Sequence, residues 1–272
     1  MAALLSLAPA NAAPQRIVST FLCTDEYLFR LAPKDHIAAL SWLAGDRSTV
    51  VSTIVDQVAG IPSIRPSGET VIALKPDLVL MYAGTNPRLK TALDKAHVPL
   101  VEVPWANSFA DIRQVTLMLG DRLGAKPQAA ALLAEMDRKL AAIRAAAPKP
   151  PVRTLLYESN GYASVGGVTE EAMTLAGLAN AAPKFRMTRT GTIPVEEVIA
   201  AAPELLILGG RQNEANTRAD IVLRHPALAT LKNRTTMQWA ALTPLVCPGP
   251  WSADAADTFG QLGRLARTAA HR

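Results

Sequence analysis

Aromatic and guanidinium side chains placed in loops that follow strand-like stretches are the residues of this chain with the strongest chemical character. The first half supplies Cys23, Trp42, Arg47, Tyr82, Asn86 and Trp105, and the second Asn160, Tyr162, Arg186, Arg189, Arg211 and Trp251. Aromatic rings stack on flat ligands, and guanidinium groups pair with carboxylates or phosphates, so the set suits a large, flat, partly anionic molecule. Aromatics make up only 5% of the residues, yet three of the four tryptophans and two of the four tyrosines fall in these loops. Core packing competes with ligand contact for any single tryptophan; the grouping carries the reading.

The same map points to binding without a chemical step. His36 and His97 precede their strands, His225 lies in a predicted helix and His271 is at the terminus, so none is placed as a general base or in a metal cluster. The chain has no Gly-x-Ser-x-Gly elbow, no P-loop and no Cys-x-x-Cys. We therefore expect no enzyme activity, no metal site and no cofactor. Cys23 and Cys247 are the only cysteines, one in a strand-end loop of each half. In an exported protein such a pair reads as a disulfide; two separate buried thiols, or a thiolate facing a metal in the ligand, are the other readings.

These residues need a scaffold of alternating strands and helices, and the pattern supplies one. Arg16–Thr20, His36–Trp42, Asp77–Tyr82 and Val98–Val103 read as strands, with helices at Glu26–Leu31, Glu69–Leu74 and 87–96, and with Thr24 or Asp25 able to cap the first helix. The second half continues with strands at Val152–Tyr157 and Thr235–Ala240 and helices at Thr169–Ala176, Ile221–Leu231 and Ala253–Ala269. Such alternation predicts an α/β fold with parallel sheets, whose ligands bind beyond the carboxyl ends of the strands. Residues 69–81, ETVIALKPDLVLM, and 196–208, EEVIAAAPELLIL, share a glutamate, Val-Ile-Ala, a proline seven residues after the glutamate, an acid and an apolar strand. One copy per half implies two lobes with the same helix–proline–strand unit. Between the copies, 127–147 reads as one long helix, with Leu132, Leu133, Met136, Leu140 and Ile143 at helical spacing. The expected layout is lobe 13–126, connecting helix 127–147 and lobe 148–272.

A hydrophobic content of 49% with 19% charged residues is that of a globular chain, and a net charge of +5 without a basic run gives no footprint for nucleic acid. Residues 1–12, MAALLSLAPANA, read as the end of a secretory signal peptide, with Ala10-Asn11-Ala12 as the cleavage pattern. Nothing later is apolar for the ~20 residues a membrane span needs. An exported, soluble, periplasmic protein is the expectation.

RIVSTFLCTDEYLFRL, ETVIALKPDLVLMYAG, the long helix and VEEVIAAAPELLILGG together resemble the iron-complex and cobalamin class of periplasmic substrate-binding proteins of ATP-binding cassette importers. The likeness covers nearly all of the chain after residue 12. It implies two Rossmann-like lobes joined by one long helix, a ligand cleft between them, a monomer, and an inner-membrane permease with its ATPase as partner. In that family a glutamate on each lobe pairs with permease arginines, and the matching positions are Glu69 and Glu196, with Glu197 a substitute for the latter; helix capping is the alternative role. Ferric siderophore, cobalamin and heme are the implied ligand classes, the first two ahead of the third. Tyr82 or Tyr162 would reach a heme iron. An enzyme using the cleft and a sensor signalling to a receptor are the readings from other classes.

Overall fold

The computed structural model describes residues 13–49, 51–182, 189–210 and 217–269. Two compact units make up the chain: one comprises residues up to Asp46, Ile54–Trp105 and Val115–Ala131, and the other Arg47–Thr53, Ala106–Gln114 and Leu132 onward. The sequence places the first boundary at 126/127, but Ala106, Phe109 and Ile112 bury with Leu133, Met136 and Phe259 in the core of the second unit.

The first unit contains strands β1 (Ile17–Ser19), β2 (Ile37–Ser41), β3 (Ser63–Ile64), β4 (Leu78–Tyr82) and β5 (Leu100–Val103), with helices α1 (Leu22–Leu31), α2 (Gly68–Ala73) and α3 (Pro87–Lys95). The sheet order is β3-β2-β1-β4-β5 and every pairing is parallel. All five residues of β4 are buried, as the unbroken apolar run requires of a central parallel strand. Helix α1 begins earlier than its sequence suggests. Phe21, in extended conformation, is its N-cap, and Thr24 and Asp25 lie inside the first turn. Thr24 Oγ1 donates to Phe21 O at 2.8 Å, while the Asp25 carboxylate is taken by Ser41, so neither side chain caps the helix.

Helices α4 (Phe109–Arg122) and α5 (Lys126–Ala145) follow. The 20 residues of α5 match the predicted long helix to within two positions at its end. Its early Ala129 is buried beside Gly120, where a Cβ would lie 2.6 Å from the alanine methyl, and its later Leu133, Met136 and Ile143 are buried in the second core. Pro148, Pro150 and Pro151 stop it.

The second unit contains β6 (Val152–Tyr157), β7 (Tyr162–Ala163), α6 (Gly167–Leu175), β8 (Leu178–Asn180), β9 (Gly191–Thr192), α7 (Val195–Ala201), β10 (Leu205–Gly209), β11 (Thr236–Ala240), α8 (Thr243–Val246) and α9 (Ser252–Ala269). Its main sheet runs β11-β10-β6-β8, all parallel, and β7 and β9 form a separate antiparallel pair. The helix expected over Ile221–Leu231 is two 3₁₀ segments, Arg218–Arg224 and Pro226–Leu231. Pro226 lacks an N–H and pushes His225 into an extended conformation, which breaks the α pattern there.

The sequence repeat is a structural repeat down to single bonds. In the first copy α2 ends near Lys75 at φ 46°, and in the second α7 ends at Ala202 at φ 38°, each just before the shared proline. The following acid then accepts backbone N–H groups of the unit's first strand region: Asp77 from Gln15 and Arg16, Glu204 from Arg153. Arg16 Nε and the Arg153 guanidinium in turn donate to the last carbonyls of the helix, Leu74 in one case and Ala201 and Ala202 in the other. Helix end, proline, acid and arginine thus form one self-satisfying corner that closes each unit at the amino end of its sheet.

Candidate functional site

A parallel sheet offers ligands a crevice at the carboxyl ends of its strands where the strand order reverses. In the first unit that reversal lies between β1 and β4, since the chain builds outward from β1 to β2 and β3 on one side and to β4 and β5 on the other. Thr20, leaving β1, ties the two strands together, its N and Oγ1 both donating to Leu80 O at 3.1 Å. Phe21 follows and stacks on Tyr82, with centroids 5.4 Å apart and planes 4° from parallel. Tyr82 meets Trp105 edge to face at 4.2 Å. Tyr82 is 1% exposed and Trp105 53% exposed, so a buried ring holds up an open one. The Trp105 indole is fixed further by its Nε1–H donating to Ala83 O at 3.1 Å. Three strand ends thereby carry a rigid aromatic shelf whose outermost ring is already desolvated on one side.

Beside it, Trp42 follows β2 and is half-buried under the Arg65 guanidinium, 4.2 Å above the ring. Asp25, 0% exposed, accepts from Ser41 N at 3.0 Å and from Ser41 Oγ, locking α1 to the end of β2. Burial pushes its carboxyl up to about 7, against the downward pull of hydrogen bonds from Ser19 and Ser41. Asn86 is not free for a ligand, because its Oδ1 caps α3 through Leu89 N at 3.1 Å.

In the second unit the reversal lies between β6 and β10. Glu158 is the first residue after β6, half-buried, with Ser164 Oγ donating to it at 3.1 Å. Asp220 sits close by in the chain's hydrogen-bond network: Ser159 Oγ and Thr217 N and Oγ1 donate to it and hold its carboxyl below the usual range. Tyr162, in β7, is 45% exposed. Trp239, near the end of β11, is half-buried with Arg224 5.9 Å over its ring.

Among the sequence candidates, Trp105, Tyr162, Arg47 and Arg189 are exposed, and Trp42 is half-buried. Trp251 is a packing residue: it is 7% exposed, donates from Nε1 to Cys247 O at 2.8 Å, and covers Gly249 so closely that a Cβ there would lie 2.3 Å from the ring. Tyr82 is likewise enclosed as the shelf's support, which takes its ring away from direct ligand contact. Arg186 and Arg211 lie outside the described residues. Neither cysteine is a free thiol; Cys23 and Cys247 are both disulfide-bonded. Glu69 and Glu196 are each the second residue of a short helix and exposed, and their carboxylates are engaged in no hydrogen bond or ion pair among the described residues. Neither glutamate caps its helix: Ser67 does so for α2 in a capping box, and α7, with Pro194 at its N-cap, has no side-chain cap.

Sequence reasoning missed Phe21, Arg65 and Trp239, and named Glu158 only as part of a loop. Each depends on strand adjacency; β3, which places Arg65, is two residues long and leaves no periodic signal. A cavity of about 730 Å³ lined by Gln15, Asp77, Leu78, Leu100 and Arg122 lies at the amino ends of β4 and β5, away from every candidate of the first unit. No group of three or more His, Cys, Asp or Glu that could hold a metal occurs among the described residues.

The profile of the family described as periplasmic binding protein matches residues 17–236. The chain belongs to this family. It is 26% identical over 201 residues to a cobalamin-binding protein of Halobacterium salinarum, an alignment spanning 72% of the chain and 54% of that relative. The chain thus spans about half the length of the curated relatives it matches. Its fold is that of the periplasmic heme-binding protein RhuT from Roseiflexus sp. RS-1, with a TM-score of 0.72 at 21% identity, covering 92% of this chain and 99% of that one. The periplasmic vitamin B12 binding protein BtuF of Vibrio cholerae aligns with a TM-score of 0.68 at 16% identity over 94% and 98% of the two chains. Among the described residues no helix is long and apolar enough to cross a membrane.

Proposed function

We propose that this family member is the periplasmic solute-binding component of an ATP-binding cassette importer for a metal-chelate nutrient. Cobalamin comes first among the ligands, ferric siderophore next and heme third. The observation that carries the reading is the aromatic shelf of Phe21, Tyr82 and Trp105 at the β1/β4 reversal, an open indole braced for a flat, largely apolar face such as a corrin. The cobalamin-binding relative supports the order of ligands. Trp42, Arg47, Arg189 and Tyr162 are the further contact candidates, joined by Arg65. In this reading residues 1–12 direct export, the protein acts as a monomer without turnover or cofactor, and Cys23 and Cys247 are bonded to each other, being the only two cysteines and both oxidised.

Delivery uses Glu69 and Glu196, whose carboxylates are exposed and uncommitted at equivalent points of the repeat. They meet permease arginines, and release follows when those contacts pull on the two units. The test of ligand class is an absorbance spectrum after mixing with cyanocobalamin, ferric siderophores and hemin in turn and desalting. Retention of one chromophore at unit stoichiometry is the expected result, and retention of none removes the proposal. Reversing the charge of both glutamates should abolish uptake while leaving binding intact; uptake at wild-type rate would remove the docking role.

A further inference from the structure

We infer that Glu158 is a specificity-determining residue of the ligand site, accepting a hydrogen bond from an uncharged amide or hydroxyl donor of the ligand. This rests on the binding-protein reading above and deepens it.

Glu158 occupies the place in the second unit where a parallel sheet offers its crevice, directly after β6 and beside β10. Its backbone is pinned: Glu158 N donates to Tyr162 O at 2.8 Å and Gly161 N donates to Glu158 O at 3.0 Å. The tight turn between them requires left-handed residues, Asn160 at φ 57° and Gly161 at φ 76°. The side chain then lies across the end of β10, where position 209 is glycine and a Cβ would come within 2.7 Å of Glu158 Cγ. Gly209 has no positive φ, so its missing side chain is explained by the room the glutamate needs.

Within that setting the carboxylate is only partly satisfied. Ser164 Oγ is its hydrogen-bond donor, and no lysine, arginine or histidine pairs with it among the described residues. Burial raises its carboxyl above the ordinary range, with Ser164 pulling the other way. Asp220 is the contrast: three donors from Ser159 and Thr217 saturate it, and it has a structural task in joining the turn after β6 to the 3₁₀ segment at Arg218. A half-buried acceptor with remaining capacity is costly unless a partner arrives, and a bound ligand is that partner. A ligand carboxylate at the same place would meet like charge.

The test compares Glu158→Gln with wild type by quenching of tryptophan fluorescence with three probes: cyanocobalamin and ferrichrome, which carry amide donors and no carboxylate, and hemin, which carries two carboxylates. Glutamine keeps the shape and removes the charge assistance, so affinity for the amide-bearing probe that wild type binds should fall about tenfold, with the melting temperature unchanged. Hemin should bind the variant no more weakly than wild type. Gly209→Ala, which displaces the side chain, should weaken the same probe, and adding Glu158→Ala to it should cost little more. Equal affinities of wild type and Glu158→Gln for that probe, or parallel losses for amide-bearing probe and hemin, overturn the inference, as does a wild type that binds hemin alone. A wild type that binds none of the three brings down the functional reading as well, which separates the two failures.

Discussion

The reversal between β1 and β4 and the reversal between β6 and β10 occupy the same station in two sheets built on the same corner, yet their chemistry differs. The first is roofed by rings, with Trp105 open and Tyr82 closed beneath it. The second presents a carboxylate with a serine donor and, among the described residues, no paired cation. Each unit also buries an aspartate near its reversal, and there the two resemble one another: Asp25 is locked to Ser41, and Asp220 to Ser159 and Thr217. The saturated acids brace the strand ends. The shelf leaves an open indole in the first unit, and Glu158 keeps acceptor capacity among the described residues of the second.

The comparison can be broken most forcefully at the shelf's support. Tyr82→Ala removes a fully enclosed ring between Phe21 and Trp105 and should cost about 3–5 kcal/mol in urea unfolding, as large core truncations do. A loss below 1 kcal/mol would mean the shelf is not a packed unit. Asp25 offers a pH test of the first brace. Its carboxyl titrates near 7 in the fold against 3.8 as the ordinary value, so the folded state favours the protonated form. The stabilisation from that proton is full below about pH 4 and is lost as pH rises through about 7. Melting temperature should therefore decline from pH 5 to 8 in wild type, and Asp25→Asn should flatten the decline. An identical slope in both assigns the pH dependence elsewhere.

Trp105→Ala sharpens the comparison from the ligand side. An indole that is half exposed contributes little to folding, so the melting temperature should hardly move, while affinity for the retained chromophore should fall about thirtyfold, the effect of losing one aromatic anchor. Unchanged affinity would shift the site away from the shelf. The smallest effect separates the two copies of the repeat. Ser67→Ala should cost about 1 kcal/mol by removing the capping box of α2, while α7 has Pro194 at the same station and no side-chain cap to lose, so Pro194→Ala should cost less. Equal losses would show that the copies are braced alike.

The sequence by itself determined the parallel α/β class, the strands β4, β6 and β10, the long α5 and the repeat, because each rests on local hydrophobic periodicity or on proline. It also marked Trp42, Trp105 and Tyr162 as loop aromatics that the structure leaves at least partly open. Tertiary structure decided what no local pattern encodes. Trp251 and Tyr82 carry the same residue types as the open rings, and only packing against Gly249 and between Phe21 and Trp105 closes them. Glu158 reads as one polar residue among five in a loop until strand order sets it beside Gly209, and Arg65 gains meaning only from lying over Trp42. Periodicity reports which face of an element is buried; which strand lies next to which, and therefore which side chains share a crevice, is a property of contacts distant in sequence.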